Sequence, residues 1–360
     1  MFREFDLRCS ELILRASFLL PLCLLVVPIH GFNSELLHPD MLAFDPTYKV
    51  TARDYLVLST ERSRSHYFLD ELQLMGFDGR GELLHPGYVG SYNAAYHRLI
   101  LKQDAPPPLP PYQLNYSQMV VGINAIYAHG FPEPRQAGKF FGFKIFSYQY
   151  DSRSFISFLK DARLIGGGYP FKIIHLVRDE YFMASLSLFE AGLSNTWAVT
   201  DPGQLQTGVL LDFDASLISQ INQHSYESCC SRLNEQQELK QAQASGLIQL
   251  LVVQSNQIVS GHPDYETTWA AVRKFLLNHV KLSVLEEHEL FNRSHSPNFH
   301  QKNRSRLPLK ERIPNLASVL AQLEVDLKKR PAAHSCKTHH AGFFCKNKLM
   351  LEFVSLAAEI

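Results

Sequence analysis

Two short stretches hold most of the residues that could do chemistry, and both suit an anion. The first, Ser59-Thr60-Glu61-Arg62-Ser63-Arg64-Ser65-His66, gathers hydroxyls and two guanidinium groups between an apolar run and a segment of helical spacing. A loop that opens a helix turns several backbone N–H groups and the positive end of the helix dipole toward one point, which favours phosphate or sulfate. The second, FKIIHLVRDEYFMASLS at 171–187, ends an apolar run at Arg178 and places Ser185 and Ser187 shortly after. A guanidinium offers a planar fork to phosphate, and a serine hydroxyl adds one directed hydrogen bond. Neither stretch is a Walker A loop: GxxxxGK[ST] and its lysine are absent, which counts against an ATP- or GTP-hydrolysing machine. Plainer readings stay open. A Ser/Arg-rich loop is also how a solvated turn looks, and Arg178 could pair with Asp179 or Glu180.

The elements around these stretches set their geometry. Tyr55–Ser59 (YLVLS) is a short continuous apolar run, the pattern of a strand buried on both faces; Phe140–Phe146 (FFGFKIF) reads as a further strand, Phe171–Val177 (FKIIHLV) as another buried strand, and Leu247–Val253 (LIQLLVV) as a candidate fourth. Helical spacing follows the first three, over 65–75 with Gly76 as a stop, over 154–164, and over 180–191. Strands alternating with helices predict an α/β fold with a central parallel sheet. In such a sheet Arg178 and the 59–66 loop would both lie at the C-terminal strand ends, where ligands of open α/β sheets bind. Asp214 is placed to cap a long helix through the 220s and 230s, and 267–280 and 315–327 read as amphipathic helices. Lys102–Pro111 is a polyproline connector, and the polar stretch 288–307 reads as a loop or lid.

In order and spacing these segments resemble the sulfotransferase superfamily, and within it most nearly the bacterial trehalose 2-sulfotransferase-like group. The family's first loop runs roughly [T]-P-R-S-G-[ST]-[ST]; Thr60, Arg62, Ser63 and Ser65 match, while Glu61 stands for the proline and Arg64 for the glycine. Val177-Arg178-Asp179 resembles the strand end that holds a 3′-phosphate ahead of a helical serine. The family spacing falls on Leu186, between Ser185 and Ser187, and the run Ser187-Leu188-Phe189-Glu190-Ala191 with Trp197 favours Ser187. FFGFKIFSYQ at 140–149 is similar to an F-G-x-K strand, and Gly76–Glu82 to a G-x-x-G-x-P-E-E segment; Ile313-Pro314-Asn315-Leu316 has a counterpart too. The likeness covers about 55–200 and continues thinly to 328.

What this implies is a three-layer P-loop NTPase-like fold that transfers a sulfuryl group from 3′-phosphoadenosine-5′-phosphosulfate to a hydroxyl of a carbohydrate or related alcohol. Thr60, Arg62, Ser63, Arg64, Ser65 and His66 would surround the 5′ side; Arg178 with Ser185 or Ser187 would hold the 3′-phosphate. The acceptor hydroxyl must lose its proton as it attacks, so a base is needed. By resemblance Glu82 falls on the family's carboxylate pair, whose second member is Leu83 here, with His85 and His66 as further candidates. Arg62 and loop amides would stabilise charge on the bridging oxygen. This chemistry requires no metal. Arg64 and Leu83 motivate the alternative of a non-catalytic nucleotide-binding or interaction protein that kept the fold; a P-loop kinase is disfavoured by the missing lysine.

Bulk properties fit a globular chain with a small ligand. The 360 residues are 46% hydrophobic and carry no formal net charge, whereas a duplex nucleic-acid binder has a basic excess. The expected partners are a small-molecule or glycan acceptor and no nucleic acid, with no reading of oligomeric state. Residues 12–29 (LILRASFLLPLCLLVVPI) are apolar but contain Arg15, Pro21 and Pro28; signal or membrane anchor, untargeted leader and core helix all stay open. If it is a signal or anchor the protein is secretory or membrane-associated, otherwise cytoplasmic. Asn115, Asn292 and Asn303 head Asn-x-Ser triplets. The six cysteines are sparse; Cys336 could pair with Cys345, or all could be free thiols. His334, Cys336, His339, His340 and Cys345 match no zinc-ligand spacing. Three segments result: a leader at 1–44, the sulfotransferase-like domain at 45–328, and a loose tail at 329–360.

Overall fold

The computed structural model describes residues 50–60, 62–80, 138–147, 155–165, 169–194, 214–283, 315–329 and 339–358, with positions 286, 290, 313 and 336. The apolar stretch 12–29, the proline-rich 102–111, Glu82, His85 and nearly all of 288–307 lie outside them. Among the described residues no helix is long and apolar enough to cross a membrane.

Four continuous apolar runs become four parallel strands: β1 (Asp54–Ser59), β3 (Phe141–Phe146), β4 (Phe171–Val177) and β5 (Ile248–Gln254). A two-residue strand, β2 (Gly79–Arg80), joins parallel to β3, so the order across the sheet is β2-β3-β1-β4-β5. Alternate side chains of β1 serve opposite faces, as a pleated strand requires. Leu56 and Leu58 pack with α2 (Phe155–Asp161) and with Leu239 and Ala242 of α4 (Ala215–Ala244). Tyr55 and Val57 pack with Phe68, Leu69 and Leu72 of α1 (Ser65–Leu74) and Trp269, Val272 and Leu276 of α5 (Tyr265–Leu277). Phe68 stacks on Trp269 with ring centroids 5.2 Å apart, joining the two helices. Helices therefore cover both faces of a parallel sheet, the α/β arrangement expected from the sequence.

One close approach fixes the β1–β3 pair. A Cβ on Gly142 would sit 2.4 Å from the Tyr55 ring, so only glycine lets β3 pass that side chain. The Tyr55 hydroxyl reaches on to donate to the Asp78 carbonyl at 3.0 Å, which brings the chain into β2.

A third apolar cluster lies away from the sheet. It joins α3 (Tyr181–Ser194), the first half of α4, α6 (Leu316–Lys329) and α7 (His339–Ala358). Asp214 caps α4 as expected, accepting from the Leu217 N–H at 2.7 Å. The helix α7 corrects the reading of 329–360 as a tail. Cys345, Leu349, Phe353 and Leu356 recur at helical spacing and are buried. The signal is weak in the sequence because Phe343, Phe344, Leu351 and Val354 are apolar on the exposed side, which erases the contrast between faces.

The cysteine reading is also corrected. Cys229 is bonded to Cys345 and Cys230 to Cys336, so each of the adjacent cysteines of α4 bridges to the C-terminal segment. Neighbours on a helix point about 100° apart and cannot both meet one partner, but two partners on an incoming segment can take one each. The bridges close loops of 116 and 106 residues; a bridge of that kind contributes about 2–4 kcal/mol by restricting the unfolded chain.

Candidate functional site

The crevice of an open parallel sheet lies where the strand order reverses, because loops leave to both sides there. β1 is that point, with β3 on one side and β4 on the other. The loop after β1 and the residues after β4 meet at its C-terminal end.

Inside the loop the backbone twice enters the left-handed region, at Arg62 (φ 60°) and Arg64 (φ 61°). Arg64 immediately precedes α1, so the position where the resembled family has glycine has the backbone angle glycine favours. An arginine there costs about 1–2 kcal/mol. Its side chain does not fold back over the loop. Arg64 Nη1 donates to the Ser255 carbonyl at 2.9 Å, just past β5. Partial burial, and then the neighbouring Arg178 charge, lower its pKa. Ser63 is fully buried and donates to the Thr60 carbonyl at 2.6 Å, closing the loop on itself.

Three side chains gather across the crevice. Arg62 Nε donates to Ser187 Oγ at 3.1 Å. Arg178 Nη1 donates to the Arg62 carbonyl at 2.9 Å, while its Nε donates to Glu180 at 2.9 Å. Ser185 faces elsewhere: its Oγ lies 2.9 Å from Nδ1 of His224 on α4. Burial lowers the His224 pKa, with Glu227 opposing the shift. The two serines left open by the sequence are thus separated, Ser187 toward the loop and Ser185 toward the helix bundle. His66 is exposed on the first turn of α1.

Two groups at the crevice were not singled out from the sequence as site residues. Lys144, on β3 opposite Val57, is fully buried, and its Nζ donates to Ser65 Oγ at 3.1 Å at the start of α1. Its Nζ also sits 4.4 Å from the Phe146 ring centroid. A lysine inside a continuous apolar strand was the signal available, since a buried ammonium must be satisfied by a nearby polar group. The other is Glu352 of α7, whose carboxylate accepts from the Phe182 N–H at 3.1 Å and the Met183 N–H at 2.9 Å. It satisfies first-turn donors of α3 that no intrahelical carbonyl can reach. Burial pushes its pKa up to about 7, with Glu180 adding to the rise and the two amides and Arg178 opposing it. Nothing in the local sequence announces this contact, which spans 170 positions.

Beneath the crevice a buried polar group ties β4 to α4. His175 Nε2 lies 2.9 Å from Glu235, and Arg232 contacts both. Burial, then the Arg232 charge, lowers the His175 pKa. Nearby, the sulfurs of Cys230, Cys336 and Cys345 lie within 4.8 Å of one another, each spent in a disulfide.

The arrangement can bind an anion at the end of β1: guanidinium groups from two strands' ends, a serine, a buried ammonium behind the helix start, and α1 aimed at the same place. No protein-family model matches the chain, and no curated protein matches it.

Proposed function

We propose that the protein is a sulfotransferase with a P-loop-like fold, moving a sulfuryl group from 3′-phosphoadenosine-5′-phosphosulfate to an alcohol of a carbohydrate or related acceptor. The observation that carries this reading is the meeting of Arg62, Ser187 and Arg178 at the switch point of the sheet. It places the two anion-suited stretches of the sequence within one hydrogen-bond network. The strand order, with the loop following the central strand, supports a P-loop-like relation. Loop and α1 would take the 5′ phosphosulfate, with Lys144 behind Ser65 offsetting negative charge there. Arg178 and Ser187 would take the 3′-phosphate. The base would be Glu82, or His85 or His66.

One observation favours a second reading, a nucleotide-binding protein without turnover. Arg178 already donates from Nε and Nη1 within the chain, so a phosphate must share or displace those partners.

Calorimetric titration of the whole chain with 3′-phosphoadenosine-5′-phosphate tests the common part. Micromolar binding that survives an equal charge of inorganic sulfate supports the nucleotide site. No binding removes both readings. Turnover with the sulfate donor and a panel of sugars then separates enzyme from binder.

A further inference from the structure

The third apolar cluster contains a chemical device independent of what the loop binds. Three facts define it. The two disulfides are the covalent ties between α4 and the segment carrying α7 among the described residues. The sulfurs of Cys230, Cys336 and Cys345, drawn from both bridges, lie within 4.8 Å of one another. And α7 carries Glu352 on the first-turn amides of α3, with Lys348 3.6 Å from Asp179 beside Arg178.

We propose that α7 is a redox-releasable strap, in which two-electron reduction of Cys230–Cys336 is relayed to Cys229–Cys345, leaves a local Cys336–Cys345 disulfide, and frees both cysteines of α4.

The steps balance as thiol–disulfide exchange. Both cysteines are buried, Cys336 (8% exposed) less completely than Cys230, so in this proposal a dithiol reductant enters at Cys336 Sγ. Its thiolate bonds to that sulfur and Cys230 departs as thiolate, taking up a proton. The second thiol of the reductant closes on the first, releasing Cys336 thiolate and the oxidised, cyclic reductant. Cys336 thiolate then attacks Sγ of Cys345, forming Cys336–Cys345, and Cys229 departs and is protonated. One dithiol is consumed, and both ties to α4 are gone. The product bridge joins residues nine apart in sequence. It constrains the chain far less than loops of 116 or 106 residues, so a loosened α7 gains more freedom with this pairing than with Cys230–Cys345. What then holds Glu352 on α3 is the packing of Leu349, Phe353 and Leu356 with the Lys348–Asp179 pair, contacts open to local unfolding.

The whole chain is treated under native conditions with one molar equivalent of dithiothreitol, quenched in acid, alkylated and mapped by mass spectrometry. Amide exchange is followed in parallel. Alkyl groups on Cys229 and Cys230, a Cys336–Cys345 linkage, and exchange at Phe182 and Met183 faster by at least about tenfold are expected. Alkylation of Cys230 and Cys336 with Cys229–Cys345 intact overturns the relay, as does a Cys230–Cys345 product or reduction only on global unfolding. Unchanged exchange at the two amides overturns the strap. In Glu352→Ala those amides should exchange fast before any reduction; protection persisting there shows that Glu352 is not what reduction withdraws.

Discussion

Arg178 donates to the backbone carbonyl of Arg62 at 2.9 Å, so the end of β4 holds the left-handed turn that follows β1. A side chain that shapes the loop, and in the proposed function also meets the nucleotide, should be hard to replace even by another cation. Arg178→Lys keeps the charge but loses the fork that spans Arg62 and Glu180. Affinity for 3′-phosphoadenosine-5′-phosphate should fall roughly tenfold in the lysine variant and ten- to a hundredfold in Arg178→Ala, measured by calorimetry.

Position 64 separates backbone strain from side-chain contact. Arg64→Gly and Arg64→Ala both lose the bond to the Ser255 carbonyl, but only glycine is at ease at φ 61°. The glycine variant should be more stable than the alanine variant by about 1 kcal/mol, read from urea midpoints. Equal midpoints would mean that the left-handed angle is not held.

Gly142→Ala drives a methyl into the Tyr55 ring and should destabilise the protein by about 1–3 kcal/mol. Adding Tyr55→Leu should recover part of that loss. A double-mutant cycle on chemical denaturation measures the coupling, and additive losses would show that the two residues do not meet.

Lys144→Met tests whether the buried ammonium serves a ligand or the fold. Replacing the lysine removes the cost of burying its charge but leaves the buried Ser65 hydroxyl without that partner, so any loss of stability should stay within about 1–3 kcal/mol. Affinity for the nucleotide should nevertheless drop by about tenfold, since a cation behind Ser65 is gone. Melting temperature and calorimetry together decide this; loss of stability with intact affinity assigns Lys144 to the core.

Glu352 gives a pH signature with a definite sign. Its native carboxyl titrates at about 7 against 4.5 for an ordinary glutamate, raised first by burial and also by Glu180, and lowered by the Phe182 and Met183 amides and Arg178. Between those values the native state holds more proton than the unfolded one, so this residue's contribution to stability falls as pH rises from about 4.5 to about 7 and is flat above. Urea midpoints across that window should lose this component in Glu352→Gln. An unchanged profile would place the titration elsewhere.

The sheet was legible because β1, β3 and β4 are buried along their whole length and stand out as apolar runs; the edge strand β5 shows a similar run although Val252 is exposed. β2 was not, since two residues carry no period; it is held by the Tyr55 hydroxyl and by Gly142, which lies far along the chain. Arg62, Ser187 and Arg178 could be found because strand ends and helix starts are marked in sequence. Between the two serines the resemblance favoured Ser187, and only α4 shows that Ser185 is engaged elsewhere, by His224. Lys144 was visible as an oddity within FFGFKIF, without a role. Glu352 and the cysteine pairing depend wholly on where α7 packs, and α7 itself was hidden by apolar residues on its outer side.

The helix α4 runs 30 residues, about 45 Å, and belongs to two cores. Its last turns, through Leu239 and Ala242, complete one face of the sheet, while Ile221, Tyr226 and Cys229 fill the helical cluster. Arg232 and Glu235, between them, are fastened to β4 through His175. A beam shared in this way leaves no seam along which the two parts could separate. The chain ought to melt as one cooperative block, and trimming it at residue 328 would strip an apolar flank from that beam rather than remove an accessory.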